Sequence, residues 1–558
     1  MSLFHRRRPA SILEEDRPLS MHLILVMLGV IGVLGYVVLS EAHIPSYVLG
    51  LGCVLGGTAL FFVSQVRPEI TLYLLAAYLP FSKQLAGDFG GLMTALNLTN
   101  IFLVIVIWNW FVSAGSSRGS MFEPNRMHLP VVFMALWSFF SFMAAGAKYG
   151  SGYLGTYFSE YKRWLDPIIC YFVFFHLVKD RQRWKNLIII FMISVTVVAC
   201  MAIWEYRSLA GASSLESSRV YGIADNPNSL GAFFVYYMFL FTGFWLHRMN
   251  RPRMWLLLIP FLLCFRGIMV TFSRGAYLAF GAGCLGLSFL RSKALFLLTC
   301  GILAFTLVNP WLLPAGIRYR LESTFKNKNT EITDTYGGTD LEKQVDTSSG
   351  KRLLIWEGAR KMIAEYPVFG VGLGQFQANI AEYAPVGHMD AHNAYILTAA
   401  ELGIPMLIGF IAMFLMLWWT TYEVYRKHTD FFIKSTALGC FGGFTGLALA
   451  NVFGSRLNSS EVAGYFWILA ALMARALAWA KEEAGTERGR KKVAPVIVRT
   501  GLARGMATAS VWRNAPPSVP PLGGPSAGIV SPRRQRGPTK RRTRRGESSP
   551  GASGGLHP

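Results

Sequence analysis

Apolar stretches separated by short polar breaks fill the chain as far as about residue 480. A helix crosses the hydrocarbon core of a bilayer with about 20 apolar residues. On that spacing the chain predicts helices near residues 21–40, 44–63, 69–81, 97–113, 129–146, 165–178, 187–206, 228–247, 254–272, 275–290, 294–313, 396–424, 432–453 and 459–480. The third and sixth are short, which leaves re-entry or extension into their flanks open. Backbone N–H and C=O groups find no water in lipid, so each segment must pair them internally as a helix. The pattern predicts an all-α polytopic membrane protein with about 14 transmembrane helices. It divides into an N-terminal segment (1–20), a transmembrane domain (21–480) with one long loop (314–395), and a tail (481–558).

Lys and Arg accumulate in short cytoplasmic loops. With the amino terminus inside, Lys179, Arg181, Arg183 and Lys185 fall on the cytoplasmic side, as do Arg248, Arg251, Arg253, Arg291, Lys293, Arg426, Lys427 and the tail. Lys83, Lys148, Lys162, Arg163 and Arg456 run against the rule and are placed outside. An even number of spans keeps both termini cytoplasmic and turns the 314–395 loop outward. Within that loop, residues 351–366 (KRLLIWEGARKMIAEY) carry Arg352, Ile355, Ala359, Met362, Ile363 and Tyr366 at helical spacing, and Pro367 ends the run.

Composition agrees: 53% of residues are hydrophobic and 15% charged, against about 25% charged in soluble domains. The net charge of +23 changes meaning once located, because residues 481–558 hold 16 Lys and Arg against four acidic residues, about half of the excess. This Pro-, Gly- and Ser-rich tail reads as a disordered, solvated segment drawn to anionic lipid headgroups, with a cytoplasmic or envelope assembly partner as a further role, not as a nucleic-acid site. All seven cysteines lie in apolar stretches with no CxxC pair, so neither a disulfide frame nor a metal site is suggested. Arg6, Arg7 and Arg8 precede the first apolar run without a convincing cleavage site, as in a signal anchor.

Three segments expected on the outer side carry chemistry. In RVYGIADNPNSLGAF, Asn226 and Pro227 make a helix start, while Arg219 is a cation on the side that avoids cations; it is either an anion-binding group or a snorkelling arginine. In TFSRGAYLAF, Arg274 stands at the edge of hydrocarbon, where a charge is costly unless it reaches water or an anion. A guanidinium grips phosphate oxygens through paired hydrogen bonds; a structural partner for a buried carbonyl or carboxylate is the alternative. In GHMDAHNAYILTAAELGIP, His392 and Asn393 stand where the loop enters the twelfth expected span, with His388 four residues earlier. Histidine accepts a proton near neutral pH, although interfacial histidines are commonly structural. Gly370, Gly372 and Gly374 imitate a nucleotide loop but follow no expected strand, and read as a flexible turn. Asp88, Glu160, Asp225 and Asp390 are outer carboxylates without metal-ligand spacing.

RLLIWEGARKMIAEYPVFGVGLGQF followed by AHNAYILTAAELGIPMLIGF resembles the signature region of the O-antigen ligase and polymerase (Wzy-type) family. Arg219 with GIADNPN and Arg274 in SRG are similar to its upstream elements, and the resemblance runs over about residues 200–425. It implies a GT-C-like, metal-independent, inverting glycosyltransferase of the bacterial inner membrane that needs no cofactor. His392 matches the family's general base, and Arg219 and Arg274 match the arginines that hold the diphosphate of a polyprenyl-linked glycan donor. Asn393, Arg352 and Asn228 fall beside them as supporting residues. The implied acceptor is another lipid-linked glycan for a polymerase, or lipid A core or protein for a ligase, with a slight preference for polymerization of cell-surface polysaccharide or exopolysaccharide. A flippase or other transporter is the reading from another class, against which stand the absence of a convincing internal repeat and the clustering of polar chemistry at one face.

Overall fold

The structure, a computed structural model, describes residues 46–82, 98–116, 122–209, 217–224, 226–313, 318, 347–458 and 460–493. The first expected span, Asp88, Asp225, most of the stretch 314–346 and the tail from residue 494 lie outside the described residues. All regular elements among the described residues are helical. In chain order the helices are α1 (Ser46–Val66), α2 (Pro68–Tyr78), α3 (Leu98–Ser116), α4 (His128–Tyr149), α5 (Ser151–Leu177), α6 (Arg181–Ser208) and α7 (Pro227–His247). After a single turn at Pro252–Trp255 come α8 (Leu258–Val270), α9 (Arg274–Arg291), α10 (Lys293–Val308), α11 (Thr347–Glu365), α12 (Phe376–Tyr383), α13 (Ala394–Leu402), α14 (Ile404–Lys427), α15 (Phe431–Ala450) and α16 (Ser460–Val493).

Seven of these segments are long and apolar enough to cross a membrane: α4, α6, α7, Pro252–Val270, α14, α15 and the Val462–Ala484 part of α16. The protein is therefore an integral membrane protein. The bundle is organised around α7, which is buried along nearly its whole length and packs on α15, α8 and α9. Helix contacts in lipid gain from small residues that let backbones approach. Gly439 and Gly443 of α15 do this: a Cβ on either would collide with main-chain atoms of α7, at Phe239–Leu240 and at the Tyr236 carbonyl. At another point Arg475 of α16 crosses to α5, donating from Nε to the Phe175 carbonyl at 2.8 Å and pairing through Nη1 with Glu123 Oε2 at 2.5 Å.

Several boundaries depart from the hydropathy reading; α16, for one, runs on to Val493, past the expected end at residue 480. The sixth expected span (165–178) is part of a longer helix, α5, which begins at Ser151 after Gly150 turns the chain at φ +89°. Its first turns, rich in Tyr and charged residues, do not register as apolar. The twelfth expected span (396–424) is two helices, α13 and α14, broken at Gly403 with φ +87°. There the Ile404 N–H donates to the Pro367 carbonyl at 2.8 Å, and a side chain on Gly403 would strike the Val368 carbonyl. The apolar run hides the break because both helices are apolar.

The described part of the long loop has a core of its own. Ile355, Ala359 and Met362 of α11 close on Phe376 and Ile380 of α12 and on Ala391, Leu397 and Ala400 around α13. The glycines of FGVGLGQF form a packed turn, not a flexible one. Gly370, Gly372 and Gly374 all have positive φ, and added Cβ atoms would meet Glu401 backbone, Ala145 and Tyr157 respectively.

Candidate functional site

Four chain segments, distant in sequence, meet above α7. The first is the loop before that helix. Glu205, near the end of α6, accepts the backbone N–H groups of Tyr221 (2.9 Å) and Gly222 (2.8 Å) and shapes the loop. Arg219 is half-buried in it, donating from Nε to the Thr271 carbonyl (2.9 Å) and from Nη2 to Asn228 Oδ1 (3.0 Å). Asn226 caps α7 by accepting the Ser229 N–H at 2.9 Å, with Pro227 in the first turn.

The second segment is the turn between α8 and α9. Phe272 adopts φ +49°, Ser273 is the N-cap, and Arg274 opens α9 half-buried. A guanidinium beside the N-terminal N–H groups of an 18-residue helix concentrates positive potential at one point. Gly231 of α7 rests on this turn, where a Cβ would lie 2.8 Å from that of Ala276 and 3.2 Å from Thr271 Oγ1. Arg219 and Arg274 thus flank one short turn.

The third segment carries His392, the second non-glycine residue with positive φ (+49°) among the described residues. Its conformation is fixed from several sides. Asp390 Oδ2 accepts the His392 backbone N–H at 2.9 Å and lies 3.4 Å from the imidazole Nδ1. Asn393 caps α13 by accepting the N–H groups of Tyr395 (2.9 Å) and Ile396 (3.1 Å). Trp356 Nε1 donates to the Ala391 carbonyl (2.9 Å), the Ala394 N–H to the Asn451 carbonyl (2.8 Å), and Tyr395 Oη to the Ala448 carbonyl (2.8 Å). Sparsely populated backbone conformations persist where the surroundings over-determine them.

The His392 side chain is 41% exposed, enough for a hydroxyl to reach it. Burial lowers its pKa below the usual histidine range; Asp390 opposes this, and the positive charges of Arg352 and Arg456 reinforce it. The imidazole is therefore neutral at pH 7 and able to accept a proton. Arg352 stands on α11 one turn before Trp356, the residue that clasps the histidine loop.

The fourth segment, between α15 and α16, supplies a residue that motif reading did not assign to the site. Arg456 is 8% exposed. It donates from Nη1 to Asn226 Oδ1 and Ser229 Oγ (both 3.3 Å) and from Nη2 to the Phe453 carbonyl (3.0 Å), while its own N–H reaches Asn451 Oδ1 (3.1 Å). Burial, with the nearby guanidinium of Arg352, pushes its pKa down to about 10, so it keeps its charge at neutral pH. Its neighbour Phe453 abuts Gly275, next to Arg274. Arg456 joins the loops of Arg219, Arg274 and His392 into one electropositive neighbourhood. The only sign of it in the sequence is its departure from the expected distribution of Lys and Arg.

The other candidates sit apart. His388 is exposed, with Nδ1 2.8 Å from the Gln377 carbonyl. Glu160 pairs with Arg163. Glu401, which the motifs did not flag, is buried where α13 ends; it accepts the Phe376 N–H at 3.2 Å, and burial pushes its carboxyl up to about 8. Among the described residues no group of three or more His, Cys, Asp or Glu side chains is arranged to hold a metal.

Comparison with known proteins gives one domain-level match. No curated protein sequence matches the chain. Residues 259–411 match the family model described as O-antigen ligase, a stretch that contains Arg274, Arg352, His392 and Asn393 and begins after Arg219 and Asn228. With several helices apolar enough to span a membrane, the match over this stretch supports an O-antigen ligase and polymerase family assignment.

Proposed function

We propose that the protein is an inverting, metal-independent glycosyltransferase that passes a polyprenyl-diphosphate-linked glycan to an acceptor hydroxyl at the periplasmic face of the inner membrane. The observation that carries this reading is a neutral, accessible His392 set beside Asp390, within the field of Arg352 and Arg456. With its Nδ1 turned to Asp390, the imidazole offers Nε2 to the acceptor hydroxyl. As Nε2 takes the proton, the hydroxyl oxygen attacks the anomeric carbon from the side opposite the diphosphate. The glycosidic bond forms as the bond to the diphosphate oxygen breaks, and the diphosphate leaves on its lipid. Arg219 and Arg274 neutralise the charge growing on that group, the kind of preorganised electrostatics that supplies much of enzymatic rate enhancement. Asn228 and Asn393 support the site by holding Arg219 and capping the helix after His392.

The same reading places about 14 spans across residues 21–480, both termini in the cytoplasm and the 314–395 loop in the periplasm. An Asp340→Cys protein should then react with an impermeant thiol reagent in intact spheroplasts, and protection of that cysteine would overturn the orientation. Polymerization is preferred for the acceptor step. The O-antigen ligase description of the matched family supports ligation to lipid A core or protein as the second reading. A deletion strain complemented with wild type or His392→Ala, with surface glycans resolved on gels, tests both. Loss of long chains while single repeats reach the acceptor marks a polymerase, and polymer held on the lipid carrier marks a ligase. Normal glycan from His392→Ala at equal protein level would sink the proposed base.

A further inference from the structure

A cleft with a volume of about 280 Å³ lies among α4, α5, the glycine turn, α13, α14 and α16. Asp390 lines it while also standing 3.4 Å from His392 Nδ1, so the cleft adjoins the proposed base through a shared carboxylate. Arg219, Arg274 and Arg352 are not among its lining residues. Its ionisable lining is Glu160, Asp390 and Glu401 against Arg163, and Arg163 is already paired with Glu160. A phosphate entering here would face carboxylates. The donor diphosphate therefore belongs on the arginine side, and the cleft suits a ligand without negative charge.

The rest of the lining points to the chemical class. Tyr157, Trp164 and Trp467 are its aromatic lining residues, and Gln377, Thr398 and Asn458 are its uncharged hydrogen-bonding ones. Flat apolar faces set among convergent donors and acceptors fit a ring that has an apolar C–H face and a rim of hydroxyls. Glu401 contributes at the α13 end. Burial keeps its carboxyl protonated at neutral pH, so it can both donate to and accept from a hydroxyl without placing a charge in the cleft.

We propose that this cleft is the saccharide subsite for the acceptor glycan, which it holds by ring stacking and hydroxyl hydrogen bonds so that one hydroxyl projects past Asp390 to His392. The inference rests on the reading of His392 as the base. It adds a specificity: uncharged sugars are accepted next to the reacting hydroxyl, and strongly anionic ones are disfavoured.

Photocrosslinking of the full-length protein in the producing strain tests it. Gln377 and Asn458, exposed lining residues, are the positions for replacement by p-benzoylphenylalanine, and Trp255, exposed on the turn before α8, serves as the control. Irradiation should yield adducts that stain for periodate-oxidised carbohydrate at Gln377 and Asn458 but not at Trp255, and they should persist when His392→Ala is added. In membranes charged with the strain's own radiolabelled lipid-linked glycan, Glu401→Gln should raise the acceptor KM about tenfold with kcat within about twofold, as for one lost hydrogen bond. Adducts that carry only phospholipid, or an unchanged acceptor KM in Glu401→Gln, overturn the assignment. The two readings fail separately. Carbohydrate adducts with normal transfer in His392→Ala retain the cleft and reject the base, whereas lost transfer without carbohydrate adducts does the reverse.

Discussion

Arg456 Nη1 lies 3.3 Å from Asn226 Oδ1, although 230 positions separate the two residues in the chain. The same asparagine oxygen caps α7, so one atom holds both a helix start and a buried guanidinium. Replacing Arg456 with Leu leaves Asn226, Ser229 and the Phe453 carbonyl without their cation. Hydrogen bonds to charged groups are worth about 1.5–3 kcal/mol. Arg456→Leu is expected to lower the melting temperature of the detergent-purified protein and to reduce transfer, and Arg456→Lys to recover stability in part. Equal melting curves for Arg456→Leu and wild type would remove the residue from its joining role.

For His392, the expectation concerns rate. General-base assistance contributes about 10²–10⁴-fold, so His392→Gln should lower kcat by at least about 10²-fold with little change in melting temperature.

The charges around His392 give a pH signature with opposite signs. Arg352 disfavours the imidazolium and Asp390 favours it. Removing the positive charge in Arg352→Gln raises the histidine pKa, so the acid limb of the pH–rate profile should move to higher pH. Removing the negative charge in Asp390→Asn lowers that pKa, and the limb should move to lower pH. Both limbs are measurable in membranes charged with radiolabelled donor; shifts in the same direction would contradict the proposed arrangement.

Arg219 divides its donors between the Thr271 carbonyl and Asn228. A lysine cannot hold both and still present a fork to phosphate. Arg219→Lys is expected to raise the donor KM about tenfold while leaving the acceptor KM near wild type.

Gly403→Ala tests the break between α13 and α14. The φ of +87° and the approach of the Val368 carbonyl leave no room for a side chain. Strain of this kind costs about 1–3 kcal/mol, and the substitution should lower thermal stability and displace Glu401, two residues away.

Much of the bundle was legible from hydropathy, because the period and length of an apolar run follow directly from the lipid it faces. The start of α7 was legible too, since Asn226–Pro227 is a local signal and local signals act within one turn. What escaped were features made by tertiary contact. The kink at Gly403 is set by backbone from Pro367 and Val368 on another segment, and nothing in the apolar run 396–424 announces it. Arg456 draws its environment from α7 and α15, so its place beside His392 could not be read from its neighbours SRLNSS. Glu401, in a run of small apolar residues, gave no sign that its carboxyl would be largely buried against the glycine turn at the edge of a cleft.

The clasp around His392 has a consequence for how this sequence can diverge. The partners supplied by Ala391, Asn451 and Ala448 are main-chain carbonyls, which every residue type possesses. Substitution at such positions can be extensive without moving the imidazole, provided the backbone path is kept. Relatives could then hold their histidine in the same way while differing at position 448, which lies outside the matched region 259–411.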